Sequence, residues 1–515
     1  MHSKGTVAAG DSHTANAAGE ILRSGGNAFD AAIGALLAAT QAEPVLSSLG
    51  GGGFLLARQA NGKTKVFDFF AHTPVSKNSE ADIYPVIADF GTVQQEFHIG
   101  QGSIATPGVV KGIFAIHESL GHMPLAEIAE PAIRLAREGL NISPLQSYIF
   151  DVVSPIYTSS PSTMRLYASS KNSERLLGEG ELVKNPDFAD FLDVLVREGS
   201  DLFYKGEVAK NISRDCMDQG GHLQMGDFEK YSVFMREPLS VSYNGATVIT
   251  NPPPSTGGIL MAFALKLLEK TALQKDGFGS LAHIETLARV MDLTNQARVE
   301  CALGQNDSAH EMLLDDGFVG AYRNKVLGRP KSHRGTTHIS VVDAKGNAAA
   351  LTVSNGEGSG YVAPGTGVVL NNMLGEEDIN PNGLGEWDKD VRMSSMMSPS
   401  MLLRPDGVEY VLGSGGSNRI RTAILQAILA LHDFKMGLPE AITRPRIHYE
   451  NNLLNIEAGY PEQTVRAMRA SYENCKVWEG VNLFFGGVHG VMFDPKKKSL
   501  EGAGDPRRGG VCITV

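Results

Sequence analysis

Hydrophobic and polar positions along this chain of 515 residues switch repeatedly between a helical and an alternating period. Asn27 with Asp30 three positions on has the form of a helix start, and the run Ala28–Ala39 behind it is apolar on every face. Side chains that small all round predict a helix packed closely against a sheet. Beyond Pro44, the run Ser47-Ser48-Leu49-Gly50-Gly51-Gly52-Gly53 leads into two strand patterns, Phe54–Ala57 and Thr64–Phe69, joined through Ala60-Asn61-Gly62-Lys63. Residues 113–140 read as helical, with Pro131 at a first helical position and Gly139 as a C-terminal cap. Val241–Tyr243 and Ala246–Ile249 flank the hairpin dipeptide Asn244-Gly245, and helical spacing returns over 257–303. The polar, breaker-rich segment Arg329–Gly335 reads as an exposed loop. After it come a strand Thr337–Val342, a turn at Asp343–Asn347, a strand Ala348–Ser354, a further strand pair and a helix Arg419–Leu431. No repeat or long linker divides the chain.

Composition narrows the class. Hydrophobic residues make up 42% and charged residues 20%, ordinary for a folded globular protein. Glycine, 58 of 515 or about 11%, exceeds the usual ~7% and implies many tight turns and close backbone approaches. The net charge is −11, and no basic run is longer than Lys496-Lys497-Lys498, which argues against nucleic acid or an anionic membrane as partner. Cys216, Cys301, Cys475 and Cys512 are far apart and read as small hydrophobes in a reducing compartment. Met1–Val7 has no apolar signal core, and the longest apolar stretch, Ala31–Ala42, falls short of the ~20 residues of a membrane span. A cytoplasmic location is expected, or a periplasmic one if a signal has been trimmed.

Three motifs are set aside. His117 and His122 stand five apart, which puts the imidazoles on different helix faces and disfavours a shared metal. Gly62-Lys63-Thr64 lacks the earlier glycine of a phosphate loop, since Ala57 stands there. No serine sits in a G-x-S-x-G elbow. No metal, nucleotide or other cofactor is assigned.

The junction Gly335-Thr336-Thr337-His338 carries the chemistry. A hydroxyl residue directly after glycine, at a loop-to-strand boundary, suits self-cleavage: Gly335 leaves the scissile carbonyl uncrowded, and the Thr336 hydroxyl attacks it. The freed α-amine of Thr336, with an ordinary pKa of about 7.7–8.0, then serves as base for its own hydroxyl. By itself Gly-Thr-Thr before a strand is a weak signal, and β-formers that open a strand are its far commoner explanation.

Its company resembles the γ-glutamyltransferase (glutathione hydrolase) family over nearly the whole length. The matches are Ala18–Leu22, Gly25–Ala32, Glu43-Pro44, Gly50–Phe54, Thr106–Val109, Pro131–Ala136, Pro252–Gly258, Thr336–Asp343, Leu370–Asn372, Ser398-Pro399 and Asp505–Arg508. The resemblance implies an α+β fold, the αββα four-layer sandwich of N-terminal nucleophile hydrolases. It implies one precursor cut into residues 1–335, a large subunit, and 336–515, a small one, which stay as a heterodimer around a shared core. Thr336 matches the nucleophile and Ser354 a hydroxyl bonded to it. Gly413–Ile420 matches the oxyanion loop. An ungapped match selects the amides of Gly416 and Ser417, and the glycine pattern selects those of Gly415 and Gly416.

Departures gather where the family holds the amino-acid end of its substrate. Phe70 follows Asp68-Phe69 where the family has a carboxylate-gripping Arg, and Ser395-Met396 stands for a Ser-Ser pair. The ammonium-binding acid falls in Gly375–Asp378, at Glu376, and a neighbouring Asn falls at Asn355 or Gly356. Phe offers a hydrophobic face in place of a charge-assisted fork, so a free glutamate head group fits poorly unless another cation, such as Arg392, replaces it. The expected function is an autoprocessing threonine amidohydrolase or acyltransferase acting on a small-molecule γ-glutamyl or related acyl amide. An acylase on a non-glutamyl amide is the alternative, followed by an unprocessed binding protein. Oligomeric state stays open.

Overall fold

The computed structural model describes residues 3–89, 94–269, 271, 273–301, 312–322, 336–376, 379–380 and 383–515. The exposed loop expected over Arg329–Gly335, with the glycine of the junction, lies outside them. Local signals place the first layer. The Asn27 side chain accepts from the N–H groups of Phe29 and Asp30, and the Asp30 carboxylate accepts from the Asn27 N–H, starting a helix whose residues are almost all buried. Asn244 and Gly245 both have positive φ and close the expected hairpin. Pro131 lies inside a helix Leu125–Glu138 instead of opening one, because Leu125 already starts the turn one residue after Pro124. The cap expected at Gly139 is present. The helical stretch expected over 257–303 is at least two helices, Thr256–Leu268 and Leu281–Glu300.

Two antiparallel sheets form the centre. Their strands before the junction are β1 (Gly5–Ala9), β2 (Gly52–Arg58), β3 (Thr64–Phe69), β4 (Phe234–Arg236), β5 (Leu239–Tyr243) and β6 (Ala246–Thr250). Those after it are β7 (Thr337–Asp343), β8 (Ala348–Ser354), β9 (Ser400–Leu403), β10 (Glu409–Gly415), β11 (Gly487–Asp494), β12 (Ser499–Ala503) and β13 (Val511–Thr514). One sheet runs β13-β1-β7-β8-β2-β3-β4 and the other β12-β11-β10-β9-β6-β5. Each sheet combines strands from both sides of the junction, paired at β13-β1, β1-β7 and β8-β2 in the first and at β9-β6 in the second, so the two stretches share their sheets and their core. Helices α1 (Ser12–Arg23), α2 (Ala28–Ala42), α3 (Val109–Leu120) and α4 (Leu125–Glu138) form the layer outside the first sheet. Outside the second lie α5 (Thr256–Leu268) and α7 (Arg419–His432), with α6 (Leu281–Glu300) packed on α5. The result is the four-layer αββα order, with β7 and β8 lying across β10 and β11. No helix among the described residues is long and apolar enough to cross a membrane.

The start of β7 is held from both sides. On the helix side, Thr337 Oγ1 donates to Glu43 Oε2 at 2.6 Å and Thr14 Oγ1 donates to Glu43 Oε1 at 3.0 Å. Glu43 is 1% exposed. Burial above all, then the nearby Asp11, pushes its carboxyl up to about 7, against the two hydroxyl bonds and Arg508. On the other side, the buried His338 ring bonds Thr352 and Ser340 and rests on Gly413, where a Cβ would fall 2.1 Å from the imidazole. Burial, followed by His489, holds His338 well below its ordinary pKa, so it is a neutral packing group.

Three outcomes are expected. Gly413→Ala drives a methyl into an immovable ring and should cost on the order of 3 kcal/mol in thermal or urea unfolding. Gly226→Ala, in the helix Met225–Lys230 with open space around it, should change stability by less than about 1 kcal/mol. Glu43 binds its proton more tightly folded than unfolded, so stability should fall as pH rises from about 4.5 to about 7. That carboxyl is worth on the order of 3 kcal/mol across the window, so Glu43→Gln should gain stability over wild type at pH 8 relative to pH 5. Melting curves at the two pH values measure it; an equal difference at both would refute the buried-carboxyl account.

Candidate active site

Thr336 is the residue before β7, and its position follows from a glycine opposite. Its carbonyl lies so close to Gly415 that a Cβ there would come within 2.0 Å of the oxygen. The same carbonyl accepts from Arg508 Nη1 at 3.3 Å. Beyond Gly415 the chain turns sharply, with φ +119° at Gly416 and +52° at Ser417, before α7 begins after Asn418. A non-glycine residue in the left-handed region costs on the order of 1 kcal/mol, a strain that is typical of functional turns. The N-terminus of α7 adds its partial positive charge at this point.

A narrow cleft opens here. Its walls bring together Thr336, Ser354, Ser417, Glu376, Phe70, Ser395 and Met396, drawn from six separate stretches of chain. Met373, Ile379, Met397 and Ile420 complete it; of these only Ile420, the end of the Gly413–Ile420 match, carried a signal in the sequence beyond hydrophobicity. Ser354 ends β8, where its Oγ accepts from the Gly356 N–H at 3.0 Å. Glu376 follows a short 3-10 turn, Met373–Gly375, and its carboxylate lies over Gly356. Gly356 has φ +63°, and a Cβ there would be 2.4 Å from Glu376 Oε1, so glycine is needed for both reasons. The Ser395 Oγ accepts from the Met397 N–H at 3.1 Å. Phe70 stacks on Phe54 with ring centres 5.4 Å apart.

Asn355 is fully buried and is not on the cleft wall; its amide makes no hydrogen bond among the described residues. Arg392 is neither a surface arginine nor a wall of the cleft. It is buried, 3.3 Å from Asp68 Oδ1, and donates to Tyr231 Oη, the Ser232 carbonyl and the Phe70 carbonyl. Those bonds occupy its guanidinium behind the Phe70 backbone. Among the described residues the cleft therefore has one carboxylate, several hydroxyls, an apolar remainder and no basic side chain.

Two charged residues behind Thr336 had been visible only as parts of motifs. Glu43 follows the alanine-rich helix, and Arg508 ends the Asp-Pro-Arg-Arg run. Arg508 is buried, and that burial lowers its pKa to about 10, partly offset by Asp505 and Glu43. It makes no ion pair within 4 Å among the described residues. Its turn, Pro506–Arg508, is anchored by buried ion pairs: Asp505 lies 2.7 Å from Arg446 Nη2 and 3.1 Å from Arg507 Nη1. Burial opposes ionisation of Asp505, but Arg446 and Arg507 outweigh it and hold the carboxyl below its ordinary range.

Comparison with known proteins agrees with this architecture. The glutathione hydrolase proenzyme of Escherichia coli is 30% identical over 98% of this chain and 90% of its own length. The acylase ACY 1 proenzyme of Pseudomonas sp. strain SE83 is 30% identical over 100% of this chain and 94% of its own. A cephalosporin acylase structure from Bacillus halodurans superposes with a TM-score of 0.85 at 24% identity, over 99% of this chain and 96% of that one, and so shares the fold. The family model described as Gamma-glutamyltranspeptidase matches residues 14–515. With that match and this four-layer core, the chain belongs to the gamma-glutamyltranspeptidase family, amide hydrolases and acyltransferases of the N-terminal nucleophile type.

Proposed function

We propose that the precursor cuts itself between Gly335 and Thr336, and that Thr336 then carries acyl groups taken from small amides. The Thr336 Oγ attacks the Gly335 carbonyl carbon, the peptide C–N bond breaks with a proton passing to the departing nitrogen, and an ester remains on Oγ. Water hydrolyses that ester. The products are residues 1–335 with a new carboxyl end and residues 336–515, a chain of 515 − 335 = 180, with a free α-amine. That amine takes the proton from its own Oγ, which attacks the substrate carbonyl. Amide N–H groups of the turn at Gly416 and Ser417 suit the oxyanion, a contribution of about 3–4 kcal/mol per donor in comparable sites. The α-ammonium returns its proton to the leaving amine, and water or an acceptor amine then releases the acyl group from Thr336.

The observation that carries this reading is the cleft itself: Thr336, Ser354 and Ser417 line it together with Glu376, and no cation is among its described lining. This lining favours acyl chains without a carboxylate. A carboxylate there would lose a charge-assisted pair worth about 1.5–3 kcal/mol and would meet Glu376 and Phe70 in its place. A chain ending in an ammonium or another donor has Glu376 to receive it. The two families of relatives, glutathione hydrolases and acylases, both remain compatible with the catalytic half of the site.

Purified protein should run on a denaturing gel as two bands near two-thirds and one-third of the precursor's mass. Edman degradation of the smaller should read Thr-Thr-His-Ile-Ser. Thr336→Ala should leave one uncut, inactive chain, while Thr336→Ser retains some cutting; cleavage in the alanine variant would remove Thr336 from its role, and a persistent full-length wild type would favour a binding protein. Among anilides, 4-aminobutyryl should react about tenfold faster than γ-glutamyl in kcat/KM. Glu376→Gln should remove most of the 4-aminobutyryl advantage over butyryl. Faster turnover of the γ-glutamyl compound would overturn the inference drawn from Phe70.

A further inference from the structure

Among the described residues, the Arg508 guanidinium is a buried cation with no counter-ion within 4 Å, bonded to the carbonyl of the residue assigned as nucleophile. Retaining such a group is costly to stability, which directs attention to what it does. A residue's own nitrogen lies within about 3.6 Å of its own oxygen, so the guanidinium Nη1 is no more than about 7 Å from the Thr336 nitrogen. Beside it on the helix side is Glu43, tied to Thr337, the adjacent residue, at 2.6 Å. We infer that Arg508 and Glu43 act as an opposed pair of positioning residues that set the proton affinity of the Thr336 α-amine, Arg508 lowering it and Glu43 raising it.

The sign follows from Coulomb's law. A fixed positive charge close to the amine disfavours its ammonium form, keeping it a free base at neutral pH, where it must accept the Oγ proton. Glu43 opposes this only when ionised, and its carboxyl, pushed up to about 7, gains that charge across the working pH range. The other groups around the amine leave this balance in place. Burial holds His338 well below its ordinary pKa and His489 down to about 4, so both are neutral. Asp11 faces Glu43 from the N-cap of α1, and burial raises its pKa as well. Glu376 is on the cleft wall and meets the substrate.

The inference rests on Thr336 becoming the chain start, so each variant is first checked by sequencing its small chain. A different first residue would sink the proposed function; a correct one leaves the pair to be tested alone. The test is the pH profile of kcat/KM with butyryl anilide, an uncharged substrate that gives Glu376 nothing to pair with. Arg508→Met should move the acid limb up by about one pH unit, and Arg508→Lys should restore it. Glu43→Gln should move the limb the opposite way, down by a smaller amount. Because Arg508 also lies against the turn at Gly416, a direct role in holding the oxyanion is the rival account. A pH-independent loss in Arg508→Met with an unmoved limb would establish that rival and overturn the proposal. So would shifts of the same sign in both variants. Should Arg508→Met fail to mature, Glu43→Gln decides alone: an unmoved or raised limb overturns the inference.

Discussion

The close approach of the two sheets at Gly413 and Gly415 is the constraint on which the rest of the molecule depends. Where β10 has no side chains, β7 can come down onto it, with the His338 ring filling one gap and the Thr336 carbonyl the other. Any larger residue at either position pushes β7 away from β10. Strand β7 is also the hinge between the halves of the chain, because it pairs with β1 on one edge and β8 on the other. Its first residues are thereby fixed in a dry, crowded place, the environment in which a hydroxyl and a backbone carbonyl can be held at a reactive angle.

The buried charges make sense within that frame. Arg446, Arg507, Asp505 and Glu457 satisfy one another and lock the C-terminal turn against β11. Arg508, one residue further on, is left outside this pairing and is directed by it to Thr336. Glu43 comes to the same place from α2, whose alanine surface lets the helix lie close on the first sheet. Charged groups from opposite ends of the chain thus meet behind one threonine.

On the substrate side, the same scaffold bears different walls. The cleft is lined by the hydroxyl residues Thr336, Ser354, Ser395 and Ser417 together with Phe70, methionines and one carboxylate. Arg392 shows how a cation can lie near a site without lining it: it faces Asp68 at 3.3 Å and donates to Tyr231 and to backbone carbonyls behind Phe70.

Local patterns by themselves determined the capped helix at Asn27, the hairpin at Asn244-Gly245, the strand pair after Gly335 and α7, because each rests on bonds or periodicity within a few residues. The resemblance carried in scattered motifs pointed to the layers and to the residues that gather at Thr336. The misplaced helix start at Pro131 shows the limit of such reasoning: a proline is tolerated inside a helix when packing supports the turns on either side. What only the tertiary structure decided was direction and company. Asn355 lies off the cleft wall, Arg392 is turned away and sequestered, and Glu43 and Arg508, 465 positions apart in the chain, come together. Burial and Coulomb interactions depend on what surrounds a group in space, and nothing in its sequence neighbours encodes that.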